Sequence, residues 1–413
     1  MISERSIYVG LATAKPATIP VGLLKTVQRG STQSGEFAYG NKYLQSGEAH
    51  ALNTLYLPLQ MEVFSLEARP LRGGGALPLT LQDALPDSWG RRVLEARYGN
   101  TLSDIDALLA SNGDRIGAMQ FSGSLPFKPA DQSTDPVTLV QLTNAIRALE
   151  FSFEIPVSMR RLLSRGGSLG GSRPKAIFDH QGRQWISKFP AKGDDHDVEL
   201  LEYAVLKLAR LCGIEVCDSL LEKIPHGHVL LVARFDRQKT NAGFYPIHYL
   251  SASALINAPY ASDEGSYVEL AKVIRKISAQ PKADLDQLFR RLIFNLMIDN
   301  TDDHVKNHGM LHVKDGKYRL APAFDVVMQL TNISYQAMSI VGRDGNSKIS
   351  TAVGASTQFG INKTSAEKIV TQILSTLSTS AIDIVKQCGA SEHLVQRVTR
   401  CLERQKEIIF DPN

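Results

Sequence analysis

Leu285, Leu288, Phe289, Leu292, Ile293, Leu296 and Met297 recur at three- and four-residue intervals. That period lays them along one buried stripe of a helix. The same spacing predicts helices from about Asp197 to Cys212, stopped by Gly213, from His248 to Asn257, and from Ser266 to Ile277. The tail reads as Lys363 to Leu377, a middle piece through Cys388, and Glu392 to Ile409. Capping residues add three more. Asp87 opens a helix that ends at Gly99, Ser103 opens one through Leu109, and Thr138 with Gln141 forms a capping box for one through Leu149. Branched and aromatic runs predict strands instead: Ile7 to Gly10, Phe37 to Tyr39 and Tyr56 to Leu66, then two strands joined at Asp179 to Gly182, and Leu220 to Ile224 with Val229 to Phe235. Two short strand-like runs, Gly309 to Val313 and Lys317 to Leu320, follow the central helix. From Asp325 to Gly360 the pattern is that of a loop or β-ribbon region.

This succession predicts an α+β chain in three parts: a β-rich subdomain over 1–130, a mixed segment over 131–236, and a helical segment over 237–413. The Pro-, Asp-, Gln- and Ser-rich stretch from Phe127 to Pro136 marks the first boundary. An apolar fraction of 43% and a charged fraction of 21% are those of a soluble globular protein. The net charge of +4 is too small to argue for DNA binding by the chain itself. Cys212, Cys217, Cys388 and Cys401 are scattered without a CxxC pair, which suggests a reducing compartment. No apolar run is long enough to cross a bilayer and Met1 to Arg5 opens no signal peptide, so a cytoplasmic location without membrane contact is expected.

Directly after the central helix come Asp299, Asp302, Asp303 and His304. Such crowding costs free energy unless a cation neutralises it. Asp302 and Asn307 stand five apart across Lys306, and Asp325 follows a hairpin. That is the order of parts in the catalytic half of a protein kinase: a base for the hydroxyl proton, an Asn on magnesium, then an Asp that bridges the phosphates through metal. A plainer reading is a solvated helix cap. A third takes His304 and His308, four apart, as zinc ligands, but the Glu of His-Glu-x-x-His is missing.

Upstream, Arg165-Gly-Gly-Ser-Leu-Gly-Gly-Ser-Arg-Pro-Lys175 is a glycine-rich loop whose amides can turn toward an anion. As a Walker A motif it fails, because Ser172-Arg173 stands where Lys-Ser/Thr is required. Taken alone it reads equally as a hairpin loop. Its sequels are strand Lys188, helix acids Glu199 and Glu202, and two strands ending at Val232-Ala-Arg-Phe-Asp-Arg237, the succession of a kinase N-lobe. Lys188 would hold phosphates and Glu202, with Glu199 as competitor, would orient it.

Asn300-Thr-Asp-Asp-His-x-Lys-Asn-His-Gly309 with Ala323-Phe-Asp325 resembles the HipA family of bacterial serine/threonine kinases, the toxin halves of toxin–antitoxin modules. Leu85-Pro-Asp-Ser-Trp-Gly-Arg and Asp114-Arg-Ile-Gly-Ala-Met-Gln-Phe add to the resemblance, without a chemistry of their own. The resemblance implies a two-lobed, kinase-like fold with an extra N-terminal subdomain. It implies Asp302 as catalytic base, Asn307 and Asp325 as Mg²⁺ ligands, and ATP held by Ser168, Gly170, Gly171, Ser172, Lys175, Lys188 and Glu202, with Ala233, Arg234 and Phe235 at the adenine edge. Lys306 would contact the transferred phosphate, and Ser168 matches the serine on which these kinases phosphorylate themselves. Pro174 departs from the family's loop and removes one amide donor. The implied partners are a small helix-turn-helix, HipB-like antitoxin, through which any DNA contact would come, and a protein substrate such as a component of the translation machinery. Two functions of other classes stay open: a metal-dependent phosphohydrolase using Asp302, Asp303, His304 and Asp325, and an inactive module that only holds a partner.

Overall fold

In the computed structural model of the chain, residues 2–14, 17–71, 75–111, 113–127, 137–151, 162–163, 167–240, 243–260, 264–330, 336–343 and 348–410 are described. They form two compact units, Met1–Lys192 with Arg234–Leu250, and Gly193–Ala233 with Ser251–Asn413. This division cuts through the mixed segment expected over 131–236.

The first unit is built on a five-stranded sheet in the order Phe64–Pro70, Thr32–Tyr39, Ile19–Arg29, Ile2–Leu11, Met119–Ser122, each neighbour antiparallel. Alternation along these strands sends Ile7, Val9, Leu24 and Phe37 into one core with Leu52, Leu81 and Leu108, and the bulge opposite Val9 and Gly10 turns Val21 in as well. Tyr56 to Val63, expected as strand, holds only an isolated bridge from Leu57 to Asn53, and the strand is Phe64–Pro70. Helix Ser88–Tyr98 begins after Asp87 and ends at Gly99, whose φ of 77° is the left-handed stop expected there. Ser103 caps Asp104–Ala110, and Thr138 and Gln141 form the capping box of Leu139–Glu150. The hairpin Lys175–His180 with Arg183–Lys188 turns through Gln181 and Gly182, both at positive φ, as a tight two-residue connection requires. The loop expected over Phe127–Pro136 lies from 128 onward outside the described residues, as do Arg165 and Gly166.

The second unit is mainly helical. The stripe read from the sequence is buried throughout: Leu285, Leu288, Phe289, Leu292, Ile293, Leu296 and Met297 are all at most 4% exposed in helix Pro281–Met297. Around it pack Tyr267–Ile277, Lys363–Gln387 and Glu392–Phe410, and Lys363–Gln387 in turn packs on Val198–Leu211. Hairpins Ser219–Ile224 with Gly227–Ala233, and Gly309–Lys314 with Lys317–Leu320, complete the unit. Three local expectations change. Lys363–Gln387 is one helix rather than two pieces, because no Gly or Pro interrupts it. His248 to Asn257 is helical only over Ala252–Ile256, with Tyr249–Ser251 extended. Between Asp325 and Gly360 the described residues form helix Ile349–Gly354 and a 3₁₀ turn, with no strand.

Candidate active site

Once Met297 ends the central helix, the chain makes a run of tight turns. The Asn300 amide returns to the Asn295 carbonyl (3.0 Å), Thr301 N–H to Asp299 (2.9 Å), and Asn307 N–H to His304 (2.8 Å). Asp299 takes a φ of 55°, which costs any residue but glycine some strain. The Asn307 side chain, 7% exposed, donates from Nδ2 to the Asp302 carbonyl (2.9 Å), which leaves its Oδ1 as the group's remaining acceptor.

Asp325 is delivered to the same region by a stitched segment. Arg291, buried in the central helix, donates to the Ala321 carbonyl (2.7 Å). Ala323 N–H donates to Glu215 (2.8 Å), and Cys217 N–H to Ala323 (3.1 Å). At the far end of the helix, Asp284 accepts from Ser278, Arg319 and the Leu320 amide, which pins the intervening hairpin. Asp325 itself has a φ of 56°, a second non-glycine residue in the left-handed region at this place.

Electrostatics separate the acids. Asp302 is exposed, yet partial desolvation raises its carboxyl above the usual range; His304 opposes this, and Asp325 and Asp303 add to it through their charge. Asp303 behaves in the opposite way. Burial would raise it, but His308, Tyr267 and Asn295 donate to it and hold it low. Its oxygens are therefore committed to structure. Burial keeps His304 low, against the charges of Asp302, Asp325 and Asp303. Its Nδ1 faces the Lys306 amide (3.2 Å), and its ring lies edge-on to Tyr260, over which Lys306 Nζ also sits at 5.4 Å. The zinc reading does not hold: residues 301–308 are not helical, and His308 Nε2 is engaged by Asp303 at 2.9 Å. Among the described residues no group of three or more His, Cys, Asp and Glu could hold a metal. Asp302, Asp325 and the Asn307 amide offer hard oxygens of the kind Mg²⁺ takes, one or two carboxylates with phosphate and water completing the shell.

The glycine-rich loop of the first unit is held from outside itself. Asp87 Oδ2 accepts the Gly171 amide (2.8 Å), Trp89 N–H donates to Gly171 (3.2 Å), and Trp89 Nε1 donates to the Lys175 carbonyl (2.8 Å). The Asp-Ser-Trp-Gly word thus acquires a role that helix capping alone did not supply. Gly170 and Ser172 stand on either side of Gly171, and Ser168 is 3% exposed. Lys175 and Lys188 are both 7% exposed and directly opposite each other across the hairpin. Like charges so placed repel. Glu199 and Glu202, both in helix Val198–Leu211 of the second unit, are buried alike, so burial does not choose between them.

The hinge word is also a clamp. Arg234 forks onto both oxygens of Asp236 (2.9 and 2.7 Å) and donates to the carbonyls of Asp114 and Arg115. Arg237 and the Gly117 amide complete the shell of Asp236 at 2.6 and 2.8 Å. This network explains the Asp114-Arg-Ile-Gly word. The amides of Ala233 and Arg234 already donate to Asp218 and Gln184, and the Arg234 guanidinium is fully buried, so neither amide nor guanidinium is spare for a ligand. Phe235 stacks at a tilt on Tyr249.

A family model described as HipA-like C-terminal domain matches residues 167–381, more than half of the chain. The chain belongs to the HipA family. A second model, described as HipA N-terminal domain, matches residues 17–122. Among similar proteins, Putative kinase Y4mE of Sinorhizobium fredii is 26% identical over 332 residues, 73% of each chain. Putative kinase Y4dM of the same organism is 25% identical over 327 residues, 76% of each. A solved structure of the Shewanella oneidensis MR-1 toxin–antitoxin system, HipA with HipB and its operator DNA, superposes with a TM-score of 0.69 over 97% of both chains at 16% identity. That likeness shows the fold, and the α+β, HipA-type architecture expected from the sequence holds.

Proposed function

We propose that this HipA-family chain is an ATP-dependent serine/threonine protein kinase acting as the toxin of a toxin–antitoxin pair. The observation that carries the reading is the division of labour among the acids. Asp303 is committed to His308 and Tyr267, whereas Asp302 is exposed and feels the charge of Asp325. The phosphohydrolase alternative also uses Asp303, and the bonds of Asp303 to Tyr267 and His308 argue against it.

In this reading Asn307 and Asp325 would hold Mg²⁺, which supplies charge neutralisation for the ATP phosphates. Asp302 orients the substrate hydroxyl and receives its proton. Lys175 and Lys188 balance phosphate charge, Glu202 orients a lysine, and Lys306 contacts the transferred group. Ser168, Gly170, Gly171 and Ser172 supply loop contacts, with the Gly171 amide already engaged by Asp87. Ala233, Arg234 and Phe235 would border the adenine through carbonyl oxygens or side-chain surface rather than the amides of 233 and 234. Positioning and electrostatics then supply most of the rate. The Shewanella complex, which contains HipB and operator DNA, supports a HipB-like helix-turn-helix antitoxin as partner and as the route to DNA. Among the described residues no helix is long and apolar enough to cross a membrane.

The test is incubation of the full chain with γ-labelled ATP, Mg²⁺ and a cell extract. Label should appear on protein serine or threonine and fall roughly a hundredfold or more in Asp302→Asn, with unchanged thermal unfolding because the side chain is exposed. Phosphate release from substrates without ATP would overturn the reading.

A further inference from the structure

Asp299 stands at the joint between the central helix and the acid loop, in a form that a turn alone does not require. It is 1% exposed, its φ of 55° suits glycine better, and its Oδ1 has no hydrogen-bond partner among the described residues. Burial also raises its carboxyl. A glycine would make the same turn at lower cost, so the carboxylate has another task. Its other oxygen accepts from Arg404 Nη2 at 2.8 Å, and Arg404 belongs to helix Glu392–Phe410.

That helix reaches the same joint at two further points. Gln405 Nε2, buried, donates to the Leu296 carbonyl at the end of the central helix (2.9 Å), and Cys401 Sγ lies 3.5 Å from the Gln329 carbonyl. One turn earlier, Arg397 pairs with Asp195 at 2.9 Å. The Asp299 carbonyl meanwhile accepts the amides of Thr301 (2.9 Å) and Gln329 (3.2 Å). Asp299 therefore ties the segment leading into Asp302 to the segment leaving Asp325, and the C-terminal helix grips that tie.

The geometry points to Asp299 and Arg404 as positioning residues that fix the spacing of Asp302 and Asp325, and so the placement of the catalytic base beside the divalent-ion site that Asp325 would form with Asn307. The inference rests on the kinase reading for its chemistry, but its test does not depend on turnover alone. Full-length wild type, Asp299→Gly, Asp299→Asn and Arg404→Lys are titrated with Mn²⁺ in the presence of a non-hydrolysable ATP analogue, free Mn²⁺ being counted by EPR. Thermal unfolding and, with ATP, kcat and KM are measured beside it.

Asp299→Gly should hold its thermal midpoint within about 3 °C, because backbone strain is relieved and Arg404, partly exposed, keeps water. It should nevertheless bind Mn²⁺ about ten- to a hundredfold more weakly, the loss expected when a group that orients a ligand is removed. In turnover, kcat should fall while KM for ATP holds. Arg404→Lys, which keeps the charge but not the reach and direction of the Nη2 donor, should fall between this variant and wild type, and it decides the matter if Asp299→Gly does not fold. Folded variants with wild-type Mn²⁺ affinity would overturn the inference, as would a lowered thermal midpoint without a change in Mn²⁺ binding. Wild type that neither binds Mn²⁺ nor transfers phosphate would overturn the kinase reading and this inference with it. Wild type that does both leaves the kinase reading standing whatever the variants show.

Discussion

Asp236 shows how a residue can matter to the site without touching it. Burial alone raises its carboxyl, but Arg234, Arg237 and the Gly117 amide outweigh burial and hold it at about 2. A folded value below the unfolded one means that the contribution is present above about pH 4 and is lost as pH falls toward 2. The shift corresponds to roughly 2 kcal/mol. Arg237, lowered to about 10 by burial, titrates far above this window. Acid unfolding of the chain should therefore steepen between pH 4 and 2, and in Asp236→Ala that limb should be absent. The same variant should lose about 3–5 kcal/mol at neutral pH, since two buried guanidinium groups are left without their carboxylate. Urea unfolding at a series of pH values checks both. Asp302, exposed and beside a second acid, lies at the other extreme: replacing it should leave folding alone and remove chemistry.

Among the elements, those with strong periodicity were legible from the residues alone. The stripe from Leu285 to Met297, the capping box at Thr138 and the stop at Gly99 are local rules, and local rules show in a short window of sequence. That Asp302 lies near Asn307 and Asp325 could be anticipated from their order along the chain, and the Asn307 bond to the Asp302 carbonyl and the influence of Asp325 on Asp302 agree with it. The grip of Arg404 on Asp299 was not, since 105 residues separate them and nothing in either neighbourhood marks the other. The role of the Asp87-Ser-Trp-Gly word was half visible: the start of the helix could be read, but Asp87 stands at the N-cap position without a side-chain capping bond, and its carboxylate holds the glycine-rich loop instead. That hold makes Gly90 intolerant of a side chain. A Cβ there would lie 2.6 Å from Pro86 Cβ and 2.8 Å from the Leu169 carbonyl. Gly90→Ala should thus destabilise the chain by about 1–3 kcal/mol and raise the apparent KM for ATP by displacing the loop. An unchanged KM in a folded Gly90→Ala protein would separate this contact from nucleotide binding.

At the scale of the whole molecule, the decisive feature is that neither compact unit is a single stretch of chain. The first takes in Arg234–Leu250 after 41 residues spent in the second. A gene cut after Lys192 would therefore yield an orphan: its sheet would be intact, while the carbonyls of Asp114 and Arg115 would have lost Arg234 and Arg237. Such a fragment should expose amides around residues 113–117 to rapid hydrogen exchange that the full chain resists. Adding a synthetic peptide spanning 234–250 should slow that exchange again. For anyone wishing to express the N-terminal part alone, the workable design is a splice in which a short linker carries residue 192 directly to residue 234, not a truncation.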